Sequence, residues 1–308
     1  MALTLLEAAK TMTNPVQSAV VEMYARSSST LAALSWQNIL GNALRYNREE
    51  SLPGVGFRGI NESYTASTGI LNPQVEPLVI AGGDLDVDTF ILKTMGENQR
   101  SIQEAMKVKA LALAWTKAFY KGDSSTDPRE IDGLQARLVG DQLVSAGGTN
   151  GGDALSLAKL DEAIDAVDGP THLAMNKGMR RRLSTAARTA SLSGTITWQK
   201  DDFGQQVAYY GDLPILIVDK DNTDSDILPF TEVGAGGSNA TACSIYILSL
   251  GAGKVQGIQN GNIEARDLGE LETTPAKRTR VEWFPGISIM HGRAAARLYG
   301  VKNAAVVA

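Results

Sequence analysis

ILKTMGENQRSIQEAMKVKALALAWTKAFY, residues 91–120, is the longest helical pattern in the sequence. Asp88 or Thr89 supplies a helix N-cap before it, and Gly122 stops it. At ~1.5 Å per residue, about thirty residues form a rod roughly 45 Å long. The pattern therefore predicts a helix that serves as a structural spine. Its apolar residues share one stripe, which comprises Leu92, Met95, Ile102, Met106, Ala110 and Leu113.

The chain before the spine helix, residues 46–88, has no helical period. Three prolines and six glycines divide it into short extended pieces. Such a long irregular segment is uncommon inside a compact domain, so it predicts a two-stranded ribbon that leaves the body. The ribbon needs a partner surface, because an isolated hairpin is marginally stable in water. Asp84, Asp86 and Asp88 alternate at its end and are expected to favour the positive N-terminus of the spine helix.

NPVQSAVVEMY, residues 14–24, predicts a short amphipathic helix near the start of the chain. Asn14 is a favourable N-cap, and Pro15 suits the first helical position. Its apolar residues recur at helical spacing, namely Val16, Val20, Met23 and Tyr24. The helix could pack on its own domain or reach a neighbouring subunit as an arm, and the spacing fits both.

The remaining sequence alternates helix and strand signals. A second helix is predicted at ALSLAKLDEAIDAV, a strand at HLAMN, a helix from Gly178, a hairpin at TITWQKDDFGQQVAYY and a buried strand at PILIVD. From Lys254 onward, NIEARDLGEL, KRTRVEWF and ISIMHGRAAARLYGV alternate charged and apolar residues, which is typical of long strands with one solvated face. Together these signals predict an α+β fold with a central sheet.

The composition is that of a globular protein and excludes several other classes. Of 308 residues, 43% are hydrophobic and 20% are charged, and the formal net charge is -5. Any basic surface must be local, because a dedicated duplex binder usually carries a basic domain. The single cysteine, Cys243, excludes an intramolecular disulfide and a cysteine zinc site and is typical of a reducing compartment. No apolar window is long enough to predict a membrane span.

Catalytic and ligand-binding motifs fail when they are tested against the sequence. The nucleophile-elbow pattern lacks its first glycine, because Ile247 takes that place, and GAGKV at 251–255 lacks the outer residues of a phosphate loop. His172 and His291 are expected to be structural. DKDNTDSD at 219–226 departs from a calcium loop at the turn glycine and the final Glu, which predicts a solvated acidic loop. We therefore predict no enzyme activity, no metal and no cofactor.

THLAMNKGMRRRLSTAAR, residues 171–188, concentrates five cations and no acidic residue in a chain of negative net charge. From Gly178 it predicts a helix with Met179 and Leu183 on its apolar face. The stretch has no aromatic residue that could stack on bases, so an intersubunit or surface role is favoured over non-specific phosphate contact. Salt bridges to an acidic neighbour are a third interpretation. The candidate intersubunit basic helix carries Lys177, Arg180, Arg181, Arg182 and Arg188.

The order of arm, ribbon, spine helix, α/β middle and long terminal strands resembles the major capsid protein of tailed bacteriophages, the Hong Kong 97 type of shell fold. REIDGLQARL at 129–138 is similar to the family's segment after the spine helix, and LAMNKGMRRRL at 173–183 is similar to its strand and following helix. FGQQVAYYGDLPILIVD at 203–219 resembles the family's hairpin and next strand, and VEWFPGISIMHGRAAARLYGVKN at 281–303 resembles its closing strands. The resemblance covers nearly the whole chain.

The resemblance implies a Hong Kong 97-like capsid fold in five parts. These are an N-terminal arm at 1–45, an extended β-ribbon loop at 46–88, a peripheral domain with the spine helix at 89–150, an axial domain at 151–253, and terminal strands at 254–308 that return to the peripheral domain. The basic helix then belongs to the axial domain, where a subunit meets five or six copies of itself.

The resemblance also implies a structural, non-enzymatic function. The chain would self-assemble into pentamers and hexamers that form an icosahedral phage head around double-stranded DNA, followed by head maturation. The implied partners are other copies of the chain, portal and scaffolding proteins, packaged DNA through non-specific contact and, in some shells, decoration proteins, with no membrane. The protein would assemble in the cytoplasm of a bacterial host and become part of the virion. The alternatives are an encapsulin-type compartment around a cargo enzyme and, from another class, a hydrolase, which the failed motifs disfavour.

Overall fold

A computed structural model of the protein describes residues 28–95, 98–189, 196–200 and 206–307. The helices of these residues are α1 (Ser29–Ala33), α2 (Thr89–Met95), α3 (Asn98–Lys121), α4 (Leu134–Arg137), α5 (Leu157–Asp165) and α6 (Lys177–Ala186), with a 3-10 turn at Gly140–Gln142. The helix predicted at 14–24, like the rest of the predicted arm before Ser28, lies outside the described residues.

The strands of the described residues form four sheets. They are β1 (Trp36–Asn38), β2 (Ala43–Ser51), β3 (Ile70–Pro77), β4 (Ala81–Asp88), β5 (Leu143–Ser145), β6 (His172–Asn176), β7 (Ile196–Lys200), β8 (Gln206–Tyr210), β9 (Leu213–Val218), β10 (Glu232–Val233), β11 (Ala240–Leu248), β12 (Val255–Gln259), β13 (Glu264–Glu270), β14 (Ala276–Trp283), β15 (Pro285–Ile289) and β16 (Ala295–Lys302). The predicted helix at α5, the strand at β6 and the hairpin β7–β8 are confirmed.

The central sheet has the strand order β5-β16-β11-β6-β9-β8-β7, and β10 pairs with β11. Strands β6 and β9 are parallel, whereas β11 runs antiparallel to both β6 and β16. Alternate side chains of β11 face opposite layers. Ile245 and Ile247 share a core with α5 and α6, while Tyr246 and Leu248 share a core with α3. Because both faces are covered, the inner strands are nearly continuous apolar runs.

The strands of 254–308 belong to three sheets. Strand β16 pairs with β5 and β11 in the central sheet. Strands β12 and β15 form a separate sheet with β1, and β13 and β14 form another with β4. The physical reason for the position of β16 lies in its residue pattern, because Ala295, Ala296 and Leu298 are fully buried in the layers on either side of the central sheet.

Helices α2 and α3 occupy the range predicted for the spine helix, on either side of residues 96–97. Helix α3 ends at Lys121, directly before the predicted stop. Its buried face consists of Val108, Ala112, Trp115 and Phe119, which recur at helical spacing.

The predicted apolar stripe is not the face that α3 buries. Ile102 is 51% exposed and Met106 is 59% exposed. The aromatic face was buried instead because large rings contribute the most apolar area to a core. Trp115 packs on Trp36 at 5.1 Å and on Trp283 at 5.8 Å between ring centroids. This tryptophan cluster fixes α3 on the sheets formed by β1 and β14.

The predicted ribbon exists but is shorter than expected. Strands β2 and β3 pair antiparallel from Ala43 opposite Pro77 to Ser51 opposite Ile70. Strand β4, which was assigned to the ribbon, instead pairs with β14 along its whole length. Opposite charges on facing residues of β4 and β14 favour this pairing. The ribbon therefore ends at Pro77, and β4 leads into the spine.

Candidate assembly surfaces

Each of the two histidines has a hydrogen-bond partner close to it in the sequence. The Nδ1 atom of His172 lies 2.9 Å from Thr171 Oγ1, and burial lowers the pKa of His172 to about 4. The Nδ1 atom of His291 accepts a hydrogen bond from the Arg293 N–H. Within the described residues, no group of three or more His, Cys, Asp or Glu side chains could hold a metal ion.

Among the described residues, no helix is both long and apolar enough to cross a bilayer.

The basic helix begins where β6 ends, and Asn176 defines the junction. Its Oδ1 atom accepts a hydrogen bond from the Met179 N–H at 2.7 Å, and its Nδ2 atom donates to the Leu228 carbonyl at 2.7 Å. The first contact caps α6, and the second ties the cap to the loop after β9. Gly178 lies so close to the Phe230 ring that a Cβ atom there would stand 2.8 Å from it. The turn thus fixes the direction of the basic helix.

Three of the five cations of the basic helix contact residues of their own chain. Lys177 forms an ion pair with Asp219. Arg182 donates from Nε to Asn303 Oδ1 at 2.9 Å. The guanidinium of Arg180 lies 5.9 Å from the centre of the Trp198 ring, which is 47% exposed. The aromatic partner that the stretch itself lacks is therefore supplied by β7, a contact that sequence spacing could not reveal.

The other two cations, Arg181 and Arg188, are exposed and make no ion pair within the part of the chain that the structure describes. Arg181 occupies the middle of α6, and Arg188 follows its end. The five predicted cations consequently do not act as one binding surface, because three of them have partners in their own chain. These two are the ones that remain available to a partner.

The ribbon presents large apolar side chains to solvent. Its turn is ordered by local contacts: the Gly59 N–H donates to Glu62 Oε2 at 2.8 Å, and Arg58 lies 5.2 Å from the Tyr64 ring centre. No core of its own covers the apolar residues, which are 68% to 104% exposed. Large exposed apolar side chains concentrated in one segment are typical of an interaction site. These side chains are Leu52, Val55, Phe57, Ile60 and Tyr64.

A polar anchor fixes the base of the ribbon to the body. The Tyr46 hydroxyl lies 3.1 Å from Glu76 Oε1 and donates to the Ile289 carbonyl at 2.8 Å. Arg137 of α4 pairs with the other Glu76 oxygen at 2.7 Å. Burial and the adjacent carboxylate raise the pKa of Tyr46 to about 12. The anchor was not predicted from the sequence, although the glutamate within PQVEPLVI at 73–80 is a weak signal for it.

An ion-pair ladder joins β4 to β14. Asp84 accepts two hydrogen bonds from Arg280 at 2.7 and 2.9 Å, and Asp86 accepts two from Arg278 at 2.6 and 2.7 Å. These bonds hold the pKa of both carboxyl groups below the usual value. The expectation that Asp84 and Asp86 serve the helix N-terminus is therefore wrong. Asp88 alone serves it, because its carboxylate accepts from the Phe90 N–H at 2.7 Å.

Arg100 connects α3 to the same sheet. It donates to Asp267 of β13 at 2.8 Å and to the Thr279 hydroxyl of β14 at 2.6 Å, and it pairs with Glu104 at 3.1 Å. The hydrogen bond from Arg100, with one from the Gly269 N–H, lowers the pKa of Asp267 to about 2. Charged groups on Arg100 thus add a second attachment of α3 to this sheet, beside the apolar contact of Trp115 with Trp283.

The acidic loop at 219–226 is more ordered than predicted. Asp221 is only 4% exposed. Its carboxylate accepts from the Thr223 and Ser225 N–H groups at 2.8 and 3.0 Å and from Lys117 Nζ at 2.9 Å. Burial alone would raise the pKa of Asp221, but these bonds outweigh it and lower the pKa well below its usual value. The prediction of a solvated loop is wrong at this position, because the loop is folded around one buried carboxylate.

A second buried carboxylate links the end of α3 to the central sheet. Glu232 of β10 pairs with Lys121 at 3.1 Å and with Arg297 of β16 at 3.0 Å, and it accepts a hydrogen bond from Ser244 of β11. Burial would raise the pKa of Glu232, but the hydroxyl and the two cations lower it. One charged centre therefore joins four elements, namely α3, β10, β11 and β16.

The described residues combine a central sheet covered on both faces, a spine helix, a projecting ribbon and a separate three-stranded sheet. No family model matches the sequence, and no curated protein matches it. Solved structures nevertheless match over most of the chain. The predicted α+β, Hong Kong 97-like capsid fold is confirmed by these structural matches.

The matching structures include an encapsulin complex, the capsid of a GTA particle and a phage structure. A chain of the holo-SrpI encapsulin complex from Synechococcus elongatus has a TM-score of 0.64 at 16% identity, covering 89% of this chain and 88% of that chain. The capsid of a native GTA particle has a TM-score of 0.63 at 14% identity, covering 91% and 90%. A Microbacterium phage Oxtober96 structure has a TM-score of 0.61 at 13% identity, covering 88% and 90%. The similarity defines the fold.

Proposed function

We propose that the protein is a major capsid protein of the tailed-phage type, which self-assembles into pentamers and hexamers of an icosahedral head. The observation that carries the proposal is the ribbon, whose large apolar side chains are exposed in the part of the chain that the structure describes. The similarity of the fold to the capsid of a GTA particle supports it. Burying five large apolar side chains at roughly 1.5–3 kcal/mol each is a strong drive to associate. A subunit that exposes such a ribbon needs a neighbour.

The predicted five-part division is part of this proposal, with the boundaries moved to the observed sheets. The peripheral part contains α3 and the β13-β14-β4 sheet, and the axial part is the central sheet with α5 and α6. Arg181 and Arg188 of the basic helix then face neighbouring subunits near the capsomer axis. An exposed arginine pair at an interface guides the register of association more than it adds affinity.

The proposal extends to packaged double-stranded DNA, a portal and scaffolding protein, with decoration proteins as further partners and the virion as location. A net charge of -5 suits a DNA container. A strongly basic inner wall would hold DNA through many phosphate contacts and oppose its release. Contact with DNA is then non-specific, and assembly takes place in the host cytoplasm. Head maturation would repack the subunit interfaces as rigid bodies.

Electron microscopy of the purified protein tests the proposal. We expect closed icosahedral shells or their pentameric and hexameric capsomers. Protein that stays monomeric under all assembly conditions would contradict the capsid function.

The alternative is an encapsulin-type compartment, which the match to the encapsulin complex supports. The contents of shells isolated from the native source separate the two functions. DNA inside and a portal at one vertex support the phage head, whereas a single enclosed protein and no DNA support the compartment.

A further inference from the structure

The sequence contains two asparagines that are each followed by glycine, Asn150 before Gly151 and Asn260 before Gly261. Asparagine is a thermolabile residue. The lability is greatest before glycine, because glycine has no Cβ atom to keep its backbone nitrogen away from the asparagine side chain. The sequence alone gives the two pairs equal reactivity, but the fold places them in different surroundings.

Asn150 and Gly151 are both fixed by the loops around them. The Asn150 Oδ1 atom accepts a hydrogen bond from the Asn239 N–H at 3.0 Å, and its carboxamide packs so closely on Gly237 that a Cβ atom there would overlap it. Gly151 is buried, and its carbonyl accepts a hydrogen bond from the Thr241 hydroxyl at 2.7 Å. Neither residue of this pair can rotate towards the other unless these contacts break.

Asn260 and Gly261 are exposed in the bend that follows β12. Within the described residues, the Asn260 carboxamide makes one hydrogen bond, from Nδ2 to the exposed Gly41 carbonyl at 3.0 Å. Gly261 has a φ of 75°, a Cβ atom on it would meet nothing within 4 Å, and its N–H has no hydrogen-bond partner in the same part of the chain. The backbone nitrogen next to the Asn260 side chain is therefore free to move towards it.

We propose that Asn260 is a site of spontaneous modification, at which the side-chain amide becomes a carboxylate. The backbone nitrogen of Gly261 attacks Cγ of Asn260, the new C–N bond closes a cyclic imide, and the Cγ–Nδ2 bond breaks. The Gly261 N–H proton passes through water to the departing group, which leaves as ammonia. Water then opens the imide at either of its two carbonyls and gives aspartate or isoaspartate. One chain and water suffice, so the reaction is independent of the proposed function.

The modification acts on the base of the ribbon. Asn260 donates to Gly41, which lies in the loop that leads into β2. A carboxylate has no proton to donate, and its charge faces the partial negative charge of the Gly41 carbonyl oxygen. The next residue of that loop, Asn42, accepts a hydrogen bond from the Leu78 N–H at 2.9 Å, directly after β3. The product at position 260 should therefore loosen both strands of the ribbon where they join the body.

Peptide mapping of the purified full-length chain tests the site. Trypsin releases Asn260 in peptide 255–266 and Asn150 in peptide 138–159, which makes the second peptide an internal control. The folded protein is incubated at mildly alkaline pH, and mass spectrometry follows each peptide for the gain of a single dalton and for isoaspartate. We expect Asn260 to react at least ~10-fold faster, because Asn150 reacts only from locally opened chains, and an opening cost of about 1.4 kcal/mol already gives a tenfold ratio. A rate at Asn260 equal to or below that at Asn150 would overturn the proposal.

Two controls show whether the fold causes the difference. In the chain unfolded by urea, both asparagines should react at similar rates, because each precedes glycine. A difference that persists after unfolding would overturn the structural argument. Asn260→Gln should remove the mass gain from peptide 255–266 and leave that of peptide 138–159 unchanged. A gain that remains in peptide 255–266 would come from another residue and contradict the assignment.

Hydrogen exchange tests the effect on the base of the ribbon. Asn260→Asp reproduces one product of the reaction in every chain. The Leu78 amide, which donates to the same loop, should exchange roughly 2- to 10-fold faster than in the parent chain, the change expected for the loss of one hydrogen bond. Asn222→Asp, at another exposed asparagine, adds the same charge elsewhere and should leave this rate unchanged. Equal Leu78 exchange in the two variants would show that the modification does not act on the ribbon.

Discussion

The central sheet depends mainly on apolar burial, whereas the β13-β14-β4 sheet combines a buried apolar face with ion pairs. In the central sheet, β11 has seven consecutive buried residues, and helices cover both faces. In the other sheet, β13 is almost entirely exposed, and β4 is joined to β14 by Asp–Arg pairs. Apolar burial depends little on pH and ionic strength, whereas exposed ion pairs depend on both. The comparison predicts that the β13-β14-β4 sheet responds to pH and ionic strength more strongly than the central sheet does.

The largest loss of stability is expected when the buried carboxylate of Glu232 is removed from the edge of the central sheet. Glu232→Ala would leave Arg297 and Lys121 without their shared carboxylate at the edge of the central sheet. Removing one member of a buried ion pair costs about 3–5 kcal/mol of unfolding free energy. Chemical denaturation measures the loss. Glu264→Ala, at an exposed residue of β13, should change stability by less than about 0.5 kcal/mol.

A core truncation in the same sheet should have a slightly smaller effect. Ile247 is fully buried between β11 and the layer of α5 and α6. Ile247→Ala should cost about 2–5 kcal/mol through lost burial and a residual cavity. The same denaturation experiment on Val139→Ala, which is 65% exposed in the parent chain, is the control. Equal losses in the two variants would mean that this sheet is not the core.

As the pH falls, the β13-β14-β4 sheet should lose stability before the central sheet does. The pKa of Asp267 is lowered to about 2 in the folded chain, against an unfolded value of about 3.9. A lowered pKa stabilises the folded state above the unfolded pKa, and this contribution is lost as the pH falls from about 4 through 2. The Asp84 and Asp86 pKa values are shifted in the same direction.

Hydrogen exchange checks this response strand by strand. Between pH 5 and pH 2, after correction for the intrinsic rate, β14 amides should lose protection while β11 amides keep it. In Asp267→Asn, β13 and the facing part of β14 should be less protected at pH 5 and change less on acidification. Parallel loss in β11 and β14 would show that the two sheets do not differ.

The smallest effect on folding is expected at the basic helix. Arg181→Gln with Arg188→Gln should change the unfolding free energy by less than about 0.5 kcal/mol, because both side chains are exposed. Capsomer formation should nevertheless fall, measured by sedimentation, before DNA affinity changes. Arg129→Gln, at another exposed arginine, is the control. A loss of DNA affinity with normal assembly would favour phosphate contact.

Sequence patterns predicted the elements better than their partners. The period of 3.6 or 2 residues located α5, β6 and the β7–β8 hairpin, because local patterns depend on neighbouring residues. The face of α3 was predicted wrongly, since Ile102 and Trp115 lie on two apolar faces and only tertiary packing selects one. The pairing of β4 with β14 joins residues nearly two hundred positions apart, which no local pattern contains.

The basic helix and the ribbon were likewise predicted as elements, but their contacts were not. The five cations were visible in the sequence, but only the fold shows that Asp219, Asn303 and Trp198 engage three of them. The ribbon was predictable from its prolines and glycines. Its anchor was not, because Tyr46, Glu76 and Arg137 come from three separate elements.

The mass distribution of the purified full-length chain tests the shell function most directly. Mass photometry across a range of concentrations should show species of five and six chains and closed particles of much larger mass. Shortening the ribbon by removing residues 54–67 should abolish the large particles while the chain remains folded. A full-length chain that stays monomeric at every concentration, or a shortened chain that assembles equally well, would contradict the account.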